Sequence, residues 1–282
     1  MVKISSIKNI ILSAVILSAA LFILNCGNDI FGLFGSTDLD ERLKERNNLK
    51  FIKEMDDLSP GWISPVLGDE FSFIVLTDTH IENENTFGFE KIKDIITADI
   101  SFVVIAGDIT QSGYRWDLEK YIEIAKGMGV PCYPVIGNHD VFFGNWPVWR
   151  DMIGSTNYRI DGGGATLLIL DSANAFLGND QLDWLKRELK TARGRVFVFS
   201  HVNLFVESPL TIQQFTDTRE RARVTSILRN KCDAVFMGHA HLRDIKEEGN
   251  VKYITIEDFR ENNVYCLVTV TPSGIDYEFK KL

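Results

Sequence analysis

All five histidines of this 282-residue chain lie directly after short apolar runs. The same positions hold three acidic residues and one amide. The full set is Asp78, His80, Asp108, Asn138, His139, Asp140, His201, His239 and His241. Histidines used only for packing would also be scattered over helices and surfaces. Because imidazole, carboxylate and amide groups bind divalent metals, the pattern predicts a metal site.

The spacing of these residues supports the same interpretation. Residues two apart in an extended segment point to the same side, so Asp78 and His80 can face one metal, as can His239 and His241. The mixture of nitrogen and oxygen donors favours Zn²⁺, Mn²⁺ or Fe²⁺ over Ca²⁺, which prefers oxygen ligands alone. A single Gly-Asp or Asp-Thr-His is common at strand ends as a turn former. Five short motifs of this kind, each at a predicted strand end, favour a metal site over unrelated turns.

Short apolar runs alternate with amphipathic stretches from Asp69 onward, which indicates an α/β fold. Nine runs are predicted as strands, at residues 71–77, 101–107, 132–137, 166–171, 195–200, 233–238, 251–256, 264–270 and 274–280. Helical patterns cover residues 86–98, 115–129, 179–192 and 217–230. The last three strands follow one another without helices, as an antiparallel group would. We predict two packed sheets flanked by helices in one domain.

The predicted strands also explain how the polar residues could meet. In an α/β sheet, ligands bind in the crevice at the C-terminal ends of the strands. Each candidate ligand follows such an end, so side chains from distant parts of the sequence are expected to converge there.

The first 26 residues resemble an export signal. Lys3 and Lys8 precede an uncharged run at residues 10–24, which is shorter than the ~20 residues needed to span a membrane. The following Cys26 resembles the lipidated cysteine of bacterial lipoproteins, although Asn25 stands where Gly, Ala or Ser is usual. We therefore expect an exported protein of the cell envelope, anchored to the membrane surface by lipid on Cys26. An uncleaved hydrophobic anchor is the alternative.

Residues 27–68 are polar and are predicted to form a tether, with a possible helix over residues 37–55. The catalytic domain is predicted at residues 69–282. A net charge of −9 and a pI near 5.1 argue against specific nucleic-acid binding, which requires a basic surface. The remaining cysteines, Cys132, Cys232 and Cys266, lie in or beside apolar runs and are predicted to be buried thiols.

The ordered motifs resemble the calcineurin-like metallophosphoesterase family over residues 71–241. They read D-x-H at Asp78 and His80, G-D at Asp108, G-N-H-D at residues 137–140, a lone His201, and G-H-x-H at His239 and His241. The resemblance implies a four-layer α/β/β/α sandwich with two mixed sheets and a dinuclear metal centre. It also implies a metal-dependent phosphoric ester hydrolase that acts on small phosphorylated substrates, either diesters or monoesters.

The family pattern assigns a role to each motif. It implies that one metal is held by Asp78, His80, Asp108 and His241, and the other by Asp108, Asn138, His201 and His239. Mn, Fe or Zn would fill both positions, and a metal-bridging hydroxide would attack phosphorus in line. His139 would act beside the leaving oxygen, with Asp140 orienting it. The alternative for Asp140 is a cap on the following turn.

Two other functions remain as alternatives at this point. One is a catalytically inactive binding or scaffold protein of the same fold, which should have lost ligands or His139. The other is a metal-dependent hydrolase of a different bond.

Two further stretches bear on the substrate pocket. The aromatic stretch at residues 141–149 could line the pocket, although such residues more often join a core. Asn203 stands where many family members have proline, so it could alter the loop after His201.

Overall fold

The computed structural model describes residues 36–46, 65, 67–205 and 214–282. The predicted signal segment and Cys26 lie outside the described residues, as does most of the predicted tether.

The first sheet has five strands in the order β11-β10-β1-β2-β3. Its strands are β1 (Phe71–Leu76), β2 (Ile100–Ile105), β3 (Cys132–Pro134), β10 (Val264–Thr271) and β11 (Gly274–Lys281). The β1, β2 and β3 strands run parallel, whereas β10 and β11 form an antiparallel hairpin that pairs with β1. The C-terminal ends of β1, β2 and β3 therefore lie at one edge.

The second sheet has six strands in the order β4-β5-β6-β7-β9-β8. Its strands are β4 (Tyr158–Asp161), β5 (Ala165–Ile169), β6 (Arg195–Phe199), β7 (Ala234–Met237), β8 (Asp244–Glu248) and β9 (Val251–Thr255). The four central strands are parallel and the two edge strands are antiparallel. The prediction that β9 joins β10 and β11 in an antiparallel group is wrong, because β9 pairs in parallel with β7.

Aromatic side chains fill the space between the two sheets. Phe73 of β1 contacts Phe197, Phe199 and Phe236 of the second sheet, at ring-centroid distances of 5.1, 6.2 and 5.7 Å. Edge-to-face pairs of this kind stabilise a core beyond their burial alone. Alternation along β6 places Phe197 and Phe199 on this inner face and the neighbouring valines on the other.

Helices cover the outer faces of both sheets. The α-helices are α1 (Ser36–Glu45), α2 (Arg115–Lys126), α3 (Trp146–Met152), α4 (Gly178–Thr191), α5 (Thr218–Leu228) and α6 (Phe259–Asn262). Short 3-10 helices span Phe89–Ile95 and His139–Gly144. The apolar sides of α4 and α5 pack on the second sheet, and α2 packs against the core of the first. The predicted α/β/β/α sandwich is confirmed.

The described cysteines are buried and form no disulfide. Cys132, Cys232 and Cys266 are all free thiols, as predicted. Burial raises the pKa of Cys132 and of Cys266 to about 12, which keeps both thiols protonated and unreactive at neutral pH.

The N-terminal helix α1 docks on the domain through two buried arginines. The Arg42 Nε lies 3.1 Å from the Asp171 carboxylate, and Arg46 Nη1 lies 3.7 Å from the same oxygen. Arg46 also donates to the Leu177 carbonyl, and Arg42 donates to Asn174. The part of the predicted tether that carries Arg42 and Arg46 is therefore packed against the domain.

We expect Asp171→Asn to destabilise the protein strongly, because it leaves Arg42 and Arg46 buried without a counter-charge. Breaking a buried pair in this way costs about 3–5 kcal/mol, measurable by urea unfolding. The control is Asp183→Asn, whose carboxylate pairs with Lys186 on an exposed helix surface and whose loss should leave the urea midpoint close to that of the wild type. Equal effects of the two substitutions would contradict the structural role of Asp171.

Candidate metal centre

The candidate ligands converge from both sheets on one edge of the sandwich. The turns after β1, β2 and β3 supply Asp78, His80, Asp108, Asn138, His139 and Asp140, and those after β6 and β7 supply His201, His239 and His241. Ion-pair or hydrogen-bond distances connect ligands across the two sheets. The predicted meeting of these turns is thus present in the fold.

Several of the candidate ligands have strained backbones. The φ angles of Asp78, His80 and Asp108 are +55°, +45° and +50°. His239 and His241 have φ angles of +66° and +53°. Non-glycine residues rarely adopt this left-handed region, and such strain is concentrated at functional sites. The tight turns direct these side chains back toward the crevice between the sheets.

One group of ligand atoms surrounds Asp78. The Asp78 Oδ1 lies 3.3 Å from His241 Nε2 and 3.7 Å from His80 Nε2. The other oxygen, Oδ2, accepts a hydrogen bond of 3.0 Å from the backbone N–H of His239. These contacts leave Oδ1 directed at the two imidazoles, in an arrangement that could hold a metal ion.

A second group surrounds His201. Its Nε2 lies 3.2 Å from Asp108 Oδ2 and 3.1 Å from Asn138 Oδ1. Its Nδ1 lies 2.9 Å from the carbonyl oxygen of Ala106, which fixes the orientation of the ring. His239 completes this group, with ligand atoms of Asp108, His201 and His239 all within 4.8 Å of one another.

Asp108 connects the two groups. Its Oδ2 lies 3.9 Å from His80 Nε2 and 4.0 Å from His139 Nε2, in addition to its contact with His201. One carboxylate therefore faces ligands from both groups.

Two glycines make these close approaches possible. A Cβ atom at Gly107, whose φ is +94°, would overlap the ring of His201. A Cβ at Gly137 would overlap the Asp108 carboxylate. Each glycine in a motif therefore leaves space for a ligand from another motif.

Several buried polar atoms of the site have no hydrogen-bond partner within the described part of the chain. They are Asp78 Oδ1, both ring nitrogens of His80, and Asn138 Nδ2. Buried polar atoms are nearly always paired, so the carboxylate oxygen of Asp78 and the ring of His80 without partners fit a bound cation. Asn138 would offer its Oδ1, because its Nδ2 is a donor. The mixture of imidazole, carboxylate and amide oxygen also suits borderline divalent metals.

The site has two carboxylates and two protonated imidazoles in close contact. Burial opposes ionisation of Asp108, yet His201 and the neighbouring histidines lower its pKa below the usual value. Burial also opposes the charge on His201 and His241, but Asp108 and Asp78, respectively, raise the pKa of each to about 9. Burial and the charge of His201 lower the pKa of His239 to about 3.

His139 lies beside the two groups and is held through its other ring nitrogen. Its Nδ1 lies 2.8 Å from the backbone carbonyl of Gln111, an arrangement in which Nδ1–H donates. Its backbone N–H donates to Asp108 Oδ1 at 2.9 Å. Burial lowers the pKa of His139, which favours the neutral imidazole.

The prediction that Asp140 orients the His139 ring directly is wrong. One carboxylate oxygen of Asp140 accepts from the N–H and hydroxyl of Thr110, at 2.8 and 3.0 Å. The other accepts from the Gly137 and Ile109 N–H groups, at 2.9 and 3.3 Å. Asp140 therefore fixes the turn that carries the Gln111 carbonyl, and acts on His139 only through that turn. Burial and Asp108 raise the pKa of Asp140 to about 7.

Sequence reasoning missed two residues that support the candidate ligands. Asp258 lies 3.9 Å from His241 Nδ1 and also caps α6. Ser172 Oγ accepts from the backbone N–H groups of His201 and Val202, at 3.1 and 3.0 Å. Neither residue has a motif around it, so only three-dimensional proximity reveals its role.

Asn203 links the loop after β6 to the neighbouring motif. Its side-chain amide donates to the Gly238 carbonyl, and its Oδ1 accepts from Thr255 at 2.6 Å. The side chain is fully buried. The amide at this position therefore braces the turns that carry His201 and His239.

The aromatic stretch at residues 141–149 divides between core and surface. Trp146 and Trp149 are buried in the core, which is the more common place for such residues. Phe142 packs on the His139 ring at a centroid distance of 4.2 Å, and Phe143 is exposed.

Comparison with known proteins agrees with this geometry. A sequence model of the calcineurin-like phosphoesterase family matches residues 71–243. A protein of Fibrobacter succinogenes described as a probable cyclic nucleotide phosphodiesterase is 24% identical over 240 residues, covering 79% of this chain and 90% of that protein.

Solved structures show the same fold. A purple acid phosphatase from yellow lupin (Lupinus luteus) aligns with a TM-score of 0.63 and 13% identity over 77% of this chain, and the match spans 52% of the phosphatase. A dimetal phosphatase from Danio rerio aligns with a TM-score of 0.57 and 16% identity, covering 77% of this chain and 99% of that chain.

We expect Mn²⁺ binding to release protons, because His201 and His241 are protonated near neutral pH in the metal-free protein but must be neutral to bind metal. Metal affinity should therefore increase as the pH rises toward about 9, the pKa of both imidazoles. Calorimetry in buffers of different ionisation enthalpy should give about two protons released per protein.

The matched variant for this measurement is His241→Gln, which should release about one proton fewer. Metal binding without any proton release would contradict the charge assignment of both histidines.

Proposed function

Because this chain belongs to the calcineurin-like phosphoesterase family, we propose that its clustered histidines and carboxylates bind two divalent metal ions. The chain is a metal-dependent phosphoester hydrolase, as its family and its similarity to a phosphodiesterase indicate. The proposal concerns the number of metals, the role of each residue and the substrate.

The proposed ligands follow the two groups around Asp78 and His201. One ion would be held by Asp78, His80, Asp108 and His241, and the other by Asp108, Asn138, His201 and His239. Asp108 would be shared, which its position between the groups supports. Mn, Fe or Zn are the metals that this donor set suits.

The observation that carries the proposal is the cluster of buried, unpaired ligand atoms at the meeting point of the two sheets. When bound, two divalent cations lower the pKa of water and offset the charge that develops on phosphoryl oxygens. The chain's own residues would fix the positions of those cations through the short, strained turns after the strands.

His139 would supply the proton for the leaving oxygen. Its Nδ1 faces the Gln111 carbonyl, so Nε2 is the nitrogen directed toward Asp108 and the centre of the site. Because Nδ1 keeps its proton for Gln111, Nε2 would donate from the imidazolium form, and that proton would pass to the oxygen that leaves phosphorus. An inactive scaffold would be expected to lack a ligand or this histidine, and the chain retains all of them.

Phosphate diesters are the substrates that we propose the protein prefers. The phosphodiesterase described in Fibrobacter succinogenes supports this choice, because it matches most of both chains. Monoesters serve as the comparison in the assay.

We expect His139→Ala to reduce turnover of a chromogenic phosphate diester by about 10²–10⁴-fold, the usual contribution of a general acid. The bound Mn²⁺ should stay at the wild-type level, because His139 is not among the proposed ligands. Turnover is followed by absorbance, and metal content by elemental analysis of the same samples.

The contrasting variant is His241→Ala, which should lose both metal and turnover. If the Mn²⁺-loaded wild-type protein cleaves neither diesters nor monoesters of phosphate, the proposed reaction is wrong. If His139→Ala loses metal as His241→Ala does, His139 is a ligand instead.

We further propose that the protein is exported to the cell envelope and anchored by lipid on Cys26. The proposal rests on the charged-then-apolar order of residues 1–24 and on the cysteine that follows. Within the part of the chain that the structure describes, no helix is long and apolar enough to cross a membrane.

Cys26→Ala should move the protein from the membrane fraction to the soluble fraction, and mass spectrometry of the native N-terminus should show a lipid on Cys26. The control is Asn25→Gly, which restores the usual residue before the cysteine and should keep the protein in the membrane fraction. An unmodified, uncleaved N-terminus would show that the segment is a hydrophobic anchor.

A further inference from the structure

Three exposed aromatic side chains lie close together on the surface. Tyr114, Trp116 and Phe143 are 37%, 51% and 68% exposed. The rings of Tyr114 and Trp116 stack at a centroid distance of 4.6 Å, and the ring of Phe143 is within 8° of parallel to Tyr114 at 6.5 Å. We refer to these three residues as the aromatic shelf.

The aromatic shelf is connected to the candidate catalytic histidine. Phe142 packs on His139 at a centroid distance of 4.2 Å, and the ring of Phe142 lies 6.0 Å from that of Phe143. His139 in turn lies 4.0 Å from the Asp108 carboxylate. The shelf therefore borders the metal centre on the side of His139, where the leaving group would lie.

The two loops that carry the shelf are held in fixed positions. The Asn145 side chain donates to the Ser112 carbonyl at 2.8 Å, which joins the loop of Phe143 to the loop of Tyr114. A Cβ at Gly113, whose φ is +66°, would overlap the Asp140 carbonyl, so the Tyr114 loop packs closely on the metal-site turn. Such bracing would fix the ring positions before any ligand binds.

Phe143 has an unfavourable backbone as well as an exposed ring. Its φ is +57°, which a bulky side chain rarely adopts. The Asn145 N–H donates to the Phe142 carbonyl at 3.1 Å, so Phe143 and Gly144, whose φ is +73°, are the two central residues of a tight turn. This turn presents the exposed ring of Phe143 at the surface.

We propose that the aromatic shelf stacks against the nucleobase of a nucleotide substrate. Every nucleobase has a flat π-face, and stacking on aromatic side chains binds it without strict sequence preference. This inference rests on the proposed phosphoester hydrolysis, because the metal centre would hold the phosphate while the shelf holds the base. The substrate class is therefore a nucleoside phosphate ester.

A membrane surface is the other partner that exposed aromatic residues could contact. Contact at this position would cover the approach to His139 and the metal centre. The nucleobase assignment keeps that approach available to the substrate, so we favour it.

The test compares two ligands that differ only in the base. They are the methylenephosphonate analogues of adenosine monophosphate and of ribose 5-phosphate, whose carbon–phosphorus bonds resist hydrolysis. Calorimetry with the Mn²⁺-loaded protein should show about 10- to 100-fold tighter binding of the adenosine analogue, the range expected for stacking of one base.

The double variant Trp116→Ala/Phe143→Ala should reduce this preference to less than about threefold, since the stacking surface is lost. The matched control is Tyr277→Ala, which removes a half-buried aromatic residue on β11 and should retain the preference. Circular dichroism of each variant verifies folding.

Equal binding of the two analogues by the wild-type protein would overturn the nucleobase proposal. The proposal would also be overturned if the double variant kept the preference for the adenosine analogue, or if it lost binding to vesicles of phosphatidylglycerol instead. Failure of the proposed hydrolysis would give a different result: the protein would cleave no phosphate ester, even if it bound the two analogues with different affinities.

Discussion

The ionised carboxylates of Asp78 and Asp108, buried where the two sheets meet, impose the constraint on which the site depends. Burying an unpaired carboxylate costs several kcal/mol, so each needs hydrogen-bond donors and positive charge nearby. Backbone N–H groups of His239 and His139 donate to Asp78 and Asp108, at 3.0 and 2.9 Å. His241 and His201 supply the charge, and both carboxylates have lowered pKa values as a result. Since Asp78 and Asp108 belong to one sheet and His201, His239 and His241 to the other, the full stabilisation of the carboxylates requires the sheets to be packed together.

The packing of the sheets therefore determines the geometry of the metal centre. Contacts of Phe73 with Phe197, Phe199 and Phe236 fix one sheet on the other below the site. Close-packed cores of this kind resist displacement, so the strand ends above them keep their separation. The absence of a side chain at Gly107 then lets the His201 ring approach Asp108. A larger residue there would separate the groups around Asp78 and His201 even if every ligand were present.

The sequence predicts the buried parts of this fold better than its edges. All nine runs correspond to strands. Most of them are buried, because strands covered on both faces need uninterrupted apolar residues, whereas β11 is a partly exposed edge strand. The two strands that were missed, Tyr158–Asp161 and Asp244–Glu248, are the polar edges of the second sheet. Edge strands commonly carry charges, so they lack the signal used for the others. The candidate ligands could be selected because they follow the apolar runs, and the structure brings all of them together. The partner of Asp140 could not be predicted, since it depends on the path of the turn at Thr110 and Gln111 rather than on sequence proximity to His139.

That turn connects the candidate chemistry to the candidate substrate contacts. Asp140 holds the Thr110 N–H and hydroxyl, and the same hydroxyl accepts from the Gly113 N–H at 2.9 Å. Within this turn, the Gln111 carbonyl faces His139 Nδ1, and Tyr114 follows directly as part of the aromatic shelf. One buried carboxylate thus fixes both the imidazole proposed to donate a proton and the first ring proposed to contact a base. A shift of the turn would move both together, because Gln111, Ser112, Gly113 and Tyr114 are consecutive residues of one short segment. In the proposed reaction, Asp140 would therefore couple the position of the leaving group to that of the proton donor, although it does not contact the ring of His139.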